Sequence, residues 1–188
     1  MADTVRTAVR ALRAGRLAVY PTDTLWGLGA RATDAAALRR LTAVKGRPGG
    51  LPVSIAVSSY EELEPWAKWT ESRRAFARRE LPGAVTLILP ASTAARRAFA
   101  PGVVGPEGSI GLRIPDHPIA REIARQVGPI TCTSANRHGE PPVRSVRAAR
   151  RQFGETVAAY VDGLPRPTGT PSVLADLRGA EPHLLARK

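Results

Sequence analysis

Apolar side chains recur at Val5, Ala8, Val9 and Leu12, the i, i+3, i+4, i+7 spacing of an amphipathic helix. The pattern predicts a helix over residues 4–14, closed by Gly15. Leu17-Ala18-Val19-Tyr20 is a short continuous apolar run and predicts a buried strand. It leads into Pro21-Thr22-Asp23-Thr24 and then a glycine-containing turn, Leu25-Trp26-Gly27-Leu28-Gly29. Ala37, Leu38, Leu41 and Val44 share one face of a second helix, capped by Thr33 or Asp34. That helix should stop at Lys45-Gly46-Arg47-Pro48-Gly49-Gly50, because Pro48 disfavours the α conformation at Arg47. Further strands are predicted over 52–57, 84–89, 109–115, 129–132, 157–161, 172–177 and 183–186. Ser58 or Ser59 caps a short acidic helix, and Arg73, Arg74, Arg78 and Arg79 lie on a surface helix broken at Pro82-Gly83. Ile119, Ala120, Ile123 and Val127 mark one face of a further helix. Trp66, Trp69 and Phe76 read as core or edge packing, and residues 91–108 as an irregular, mobile loop.

Strands and helices therefore alternate, which predicts an α/β fold with a mixed, twisted sheet. No internal repeat or long linker interrupts it, so one domain over 1–188 is expected. A chain of 188 residues, 43% hydrophobic, can bury a core without disulfide staples. Cys132 is the only cysteine, excluding an intrachain disulfide or a cysteine zinc site, and reads as a buried small hydrophobe. His117, His138 and His183 form no H-x-x-x-H pair, and no partner makes His138 a base. No apolar run suggests a membrane span and no signal-peptide core opens the chain, so a cytoplasmic location is expected.

The formal net charge is +12, and all but Lys45, Lys68 and Lys188 of the 28 basic residues are arginine. Two sources of this excess stay open: a polyanionic partner such as nucleic acid, or a solvated, arginine-rich surface encoded by a GC-rich genome. Arg144, Arg147, Arg150 and Arg151 form a basic stripe at helical spacing, either a solvated face or a tRNA contact.

Four polar clusters lie at predicted strand ends or loops. Lys45 and Arg47 flank a turn that suits a nucleotide phosphate, or else complement a helix C-terminus. Thr22 to Thr24 offer hydroxyls and a carboxylate, or cap a turn. Arg113 stands alone in an apolar strand and needs an anion, either a structural Asp or Glu or a ligand carboxylate. Ser134 and Asn136 place short donors and acceptors at another strand end, or cap a helix. No Ser/His/Asp set and no G-x-x-x-x-G-K-[ST] loop is present. Cations and hydroxyls without a nucleophile–base pair suit transfer chemistry done by positioning and charge stabilisation.

At these residues the chain resembles the YrdC/TsaC family of threonylcarbamoyl-AMP synthases. Pro21-Thr22-Asp23-Thr24-x-x-Gly27-Leu28-Gly29 looks like the family's opening motif, and Lys45-x-Arg47 with Ser134-x-Asn136 is similar to its K-x-R…S-x-N signature. Arg113-Ile114-Pro115-x-His117-Pro118 and Pro171-Ser172 followed by Asp176 fit as well, in the right order over nearly the whole chain. The resemblance implies a YrdC-like open, twisted mixed sheet flanked by helices, in the short single-domain form. It implies synthesis of threonylcarbamoyl-AMP and pyrophosphate from L-threonine, bicarbonate or CO2, and ATP with Mg2+. A tRNA threonylcarbamoyltransferase would act next, with tRNA itself a candidate ligand. Thr24, Arg113, Ser134 and Ser172 would hold threonine. Lys45, Arg47, Ser109, Asn136 and Arg187 would hold ATP, with Lys45 and Arg47 catalytic and facing solvent in the empty enzyme.

Trp26 stands where the family usually has Tyr, Leu51 and Ala56 replace polar residues of many members, Val173 follows Ser172 where Thr is usual, and Arg144 stands where Thr is common. A non-catalytic RNA-binding module of the same fold is the alternative; it would not need Lys45, Arg47, Ser134 and Asn136 together. Carbamoyl-adenylate chemistry, as in the related domain of hydrogenase-maturation proteins, is a closer enzymatic rival, but those domains sit in much longer chains.

Overall fold

Tyr20 explains why the chain folds back on itself after its first strand. β1 (Ala18–Pro21) and β2 (Trp26–Gly29) pair antiparallel with Tyr20 opposite Gly27. The buried phenol ring covers both glycines of β2. A Cβ added at Gly29 would lie 2.6 Å from a ring carbon, and one at Gly27 3.2 Å. The hydroxyl donates to the Thr131 carbonyl at 2.9 Å, and burial pushes its pKa well above the ordinary tyrosine value. Residues 26–29, expected as a turn, are thus a strand whose glycines make room for an aromatic neighbour. Gly29→Ala should cost about 1–3 kcal/mol by overpacking against that ring. Denaturant unfolding reads this directly, and a variant as stable as the parent would remove the account of β2.

The computed structural model describes residues 3–46 and 51–185. Its strands form two mixed sheets, realising the expected α/β arrangement as two layers of pairing rather than one. The smaller has the order β7-β2-β1-β8, with β7 Thr133–Ser134 and β8 Ala159–Tyr160. The larger has the order β10-β9-β4-β5-β3-β6. Its members are β3 Ile55–Ala56, β4 Val85–Pro90, β5 Ser109–Arg113, β6 Ile130–Thr131, β9 Val173–Asp176 and β10 His183–Leu185. The strand expected over 129–132 stops at Thr131, and pairing resumes just beyond it at Thr133. β6 belongs to the larger sheet and β7 to the smaller, and the chain crosses between them at Cys132. The Cys132 N–H donates to the Ser54 carbonyl at 2.7 Å, and Thr131 Oγ1 accepts from Ala30 N at 2.9 Å, so the crossing is tied to both sides.

Asp34 and Ser59 cap helices as the sequence suggests, and polar side chains cap the other α-helices too. Thr4 caps α1 (Val5–Arg13), Asp34 caps α2 (Ala35–Lys45) and Ser59 caps α3 (Tyr60–Leu63). Thr70 caps α4 (Glu71–Glu80), which carries the four arginines. The His117 ring caps α6 (Pro118–Val127) through Nδ1, and Ser145 caps α7 (Val146–Phe153). Residues 91–108, expected to be irregular, contain α5 (Thr93–Ala98) capped by Ser92. Thr-Ala-Ala-Arg-Arg-Ala is too short and too weakly apolar to show a helical stripe. Trp66 packs on Phe99 at 4.6 Å between ring centroids, and Trp69 and Phe76 lie against the core, as expected.

Candidate active site

The turn between β1 and β2 is held by Thr22. Its Oγ1 donates to the Leu25 carbonyl at 2.7 Å and accepts from the N–H groups of Thr24 and Leu25 at 3.2 Å each. Thr24 Oγ1 is thereby fixed 3.1 Å from Thr22 Oγ1. Arg113, the last residue of β5, reaches this turn from the other sheet. It is buried, with 4% of its side chain exposed against 16% for Asp23. Its Nη2 donates to Asp23 Oδ1 at 2.6 Å, Nη1 to Thr24 Oγ1 at 2.9 Å and Nε to the Gly83 carbonyl at 3.0 Å. The structural carboxylate left open by the sequence is therefore Asp23. A guanidinium has five N–H groups, so two remain for a ligand.

Arg113 lines an open hollow together with Thr22, Thr24, Leu25, Trp26, Gly27, Cys132, Thr133, Ser134 and Ser172. All four side chains assigned to threonine, from β2's turn, β5, β7 and the approach to β9, meet here. Ser172 is buried, and its hydroxyl lies 3.0 Å from that of Thr86. Thr22 belongs to a polar cluster that the sequence marks, whereas Cys132 and Thr133 carry no such signal. Cys132, expected as a buried small hydrophobe, is half-buried and forms part of the wall.

Lys45 departs from expectation. It is 5% exposed rather than facing solvent. Its Nζ donates to the Ser134 carbonyl at 2.6 Å, the Asn136 carbonyl at 2.8 Å and Asn136 Oδ1 at 3.2 Å. Ser134 Oγ also donates to Asn136 Oδ1 at 2.6 Å, and His138 N donates back to the Lys45 carbonyl at 2.7 Å. Lys45 thus clamps the segment that carries Ser134. The signal was in the spacing: Lys45 follows Leu38 by seven and Leu41 by four, on the buried stripe of α2. Gly46 closes this helix in the left-handed conformation, φ 59°. Arg47 and Arg187 lie outside the described residues.

Ser109, expected with ATP and not with threonine, lies apart from the hollow. It opens β5 whereas Arg113 ends it, roughly 13 Å away along an extended strand. Its hydroxyl donates to Glu107 Oε1 at 2.7 Å, which holds the Glu107 carboxyl below its usual range. Ala56 is buried in β3 beside Arg113, Leu51 is exposed, and Val173 begins β9. Trp26 is buried and also borders a second, wider groove. Arg144, Arg147 and Arg166 line that groove with Pro141, Pro142 and Val143. The stripe on α7 is not uniform: all of Arg147, Arg150 and Arg151 are exposed, but Arg150 also pairs with Asp3 at 3.3 Å and covers the Tyr160 ring at 4.4 Å.

A buried arginine and several hydroxyls gathered at strand ends of a mixed α/β fold, beside an arginine-lined groove, have the chemistry to hold small anions. The family profile described as "Telomere recombination", spanning Sua5, YciO and YrdC proteins, matches residues 10–188, and the chain belongs to that family. A threonylcarbamoyl-AMP synthase of Chromohalobacter salexigens is 37% identical over 182 residues, covering 96% of each chain. The crystal structure of Pyrococcus abyssi Sua5 complexed with L-threonine has a TM-score of 0.88 at 34% identity. That match covers 96% of this chain and 53% of the other, so the present chain spans about half the length of that relative. E. coli YciO, 23% identical with a TM-score of 0.84, shares the fold.

Proposed function

We infer that the chain is an L-threonylcarbamoyladenylate synthase, a nucleotidyltransferase that makes threonylcarbamoyl-AMP and pyrophosphate from L-threonine, bicarbonate or CO2, and ATP. The observation that carries this reading is the convergence of Thr24, Arg113, Ser134 and Ser172 on one hollow. The relatives named for this activity and the threonine held by the Pyrococcus abyssi protein support it.

In this reading the two remaining N–H groups of Arg113 take the threonine carboxylate, and the hydroxyls of Thr24, Ser134 and Ser172 orient the rest of the amino acid. The amine, once deprotonated, forms an N–C bond to CO2 and loses a second proton to give a carbamate. A carbamate oxygen then attacks the α-phosphorus, and the bond to the β-phosphate oxygen breaks as pyrophosphate leaves. The wider groove across Trp26 receives the nucleoside, with Arg144 and Arg147 close to its phosphates. Lys45 holds Ser134 and Asn136 in place for this step, and Arg47 and Arg187 keep their proposed part in holding ATP. Among the described residues no group of three or more His, Cys, Asp or Glu side chains suits a metal ion. Mg2+ is proposed to arrive on the phosphate oxygens of ATP, where it supplies charge neutralisation.

The product would serve a tRNA threonylcarbamoyltransferase, in keeping with tRNA modification. No helix among the described residues is long and apolar enough to cross a membrane, and a cytoplasmic location is proposed. The decisive test incubates the protein with ATP, threonine and bicarbonate and seeks the mixed anhydride by mass spectrometry. Its absence, with folded protein and Mg2+ present, would return the chain to the non-catalytic RNA-binding alternative. If tRNA also binds through α7, reversing Arg147 and Arg151 should weaken binding and lower the salt slope by roughly two. Filter binding at several salt concentrations measures this, and unchanged binding assigns the stripe to solvent.

A further inference from the structure

The ion pair between Asp23 and Arg113 does more than hold a side chain in place. A buried guanidinium beside an ATP site faces a selection problem. The same donors that suit a carboxylate suit phosphate equally well, and phosphate carries more charge. A bare Arg113 would therefore attract the phosphates of ATP, pyrophosphate or inorganic phosphate into the threonine hollow. The structure supplies an opposing charge at the right place. Asp23 Oδ1 lies 2.6 Å from Arg113 Nη2, and the pair is largely shielded from water. Asp23 is not among the residues that line the hollow, so it neutralises the arginine without occupying the space the ligand needs. The backbone of Asp23 is anchored separately, its carbonyl accepting from Thr168 N at 3.1 Å.

We propose that Asp23 is a specificity-determining residue that excludes phosphate from the threonine hollow. A monocarboxylate can still take the two remaining N–H groups of Arg113 in a planar, paired geometry. A phosphate dianion meets the same two donors but is repelled by Asp23 roughly twice as strongly as a monoanion. Selectivity here comes from an adverse charge placed against the wrong ligand, not from a better contact to the right one. The wider groove carries Arg144 and Arg147 with no such carboxylate paired to them among the described residues, while its third arginine, Arg166, is paired with Asp162. Phosphate is thus favoured on one side of Trp26 and disfavoured on the other.

This inference rests on the reading that threonine binds at Arg113, and the test separates the two. Inorganic phosphate is titrated as an inhibitor against threonine and, in a second series, against ATP. For the parent protein, inhibition should compete with ATP only. Asp23→Asn keeps an oxygen facing Arg113 and removes the charge. It should acquire inhibition competitive with threonine, with that inhibition constant falling about tenfold or more, the order expected from removing a unit charge near a dianion. Asp23→Glu retains the charge and should keep the parent pattern. Melting curves and threonine binding by calorimetry accompany each variant, with Asp23→Ser as a second neutral variant should Asp23→Asn fold poorly. If phosphate still competes with ATP alone in both neutral variants, the proposal is overturned. If threonine binding is unaffected by Arg113→Lys, the underlying assignment of the hollow fails instead.

Discussion

Arg113→Ala should raise the threonine KM on the order of 10²-fold or more while moving the ATP KM by less than about threefold. Two charge-assisted hydrogen bonds to the carboxylate are lost, each contributing roughly 1.5–3 kcal/mol, and each 1.4 kcal/mol is about tenfold in affinity. The same change also breaks a buried ion pair. Asp23 is left without its partner, the Gly83 carbonyl loses its donor, and stability should fall on the order of 2–4 kcal/mol. Asp23 keeps some contact with water, which moderates that loss. Steady-state kinetics well below the melting temperature, with threonine and ATP varied in turn, separate the two effects. Equal rises in both KM values would mean that Arg113 supports the site without touching threonine.

Lys45→Ala should lower pyrophosphate release, and by about 10²–10³ where the ammonium also meets the developing charge on the triphosphate. Its stability should drop as well, by about 2–4 kcal/mol, since three carbonyl acceptors lose a buried cationic donor. The fold-neutral behaviour expected of a solvent-facing lysine does not apply. Two roles can be told apart. If the ammonium acts only as a clamp on Ser134 and Asn136, threonine and ATP KM values rise together, because Ser134 borders the hollow. If it also meets the triphosphate, kcat falls further than either KM rises. Lys45→Arg should fail in part under both roles, since a planar fork does not fit three acceptors gathered round one compact ammonium. Full activity in Lys45→Ala would remove the catalytic reading.

Much of this site was legible because its residues sit at strand ends. Pro21 to Thr24, Arg113 and Ser134 each close an apolar run, and the resemblance assembled them with Ser172 before any contact was known. Two helix caps were equally visible, since Asp34 and Ser59 each precede a change of period. What could not be read depended on contacts across the chain. β2 looks like a turn because Gly27 and Gly29 carry no propensity; only Tyr20, facing them from the next strand, makes the stretch extended. The break between β6 and β7 at Cys132 has no local signal, as Thr131 and Thr133 on either side are both β-branched. The partner of Arg113 is ninety residues away. Lys45 is a different case, for its burial followed from the spacing of α2 and was obscured by the habit of placing lysines in water.

The crossing at Cys132 has a thermodynamic consequence. Ser134 and Thr24 belong to the smaller sheet's elements, whereas Arg113 and Ser172 belong to the larger sheet and its approach. A ligand seated in the hollow therefore touches both sheets at once and acts as a non-covalent cross-link between them. Its binding energy is added to the cohesion of the two layers, about 2.7 kcal/mol at a hundredfold excess over Kd. Opening the seam then requires releasing the ligand first, so the enzyme is most resistant to unfolding while it is charged with substrate and most open to exchange once the product has left.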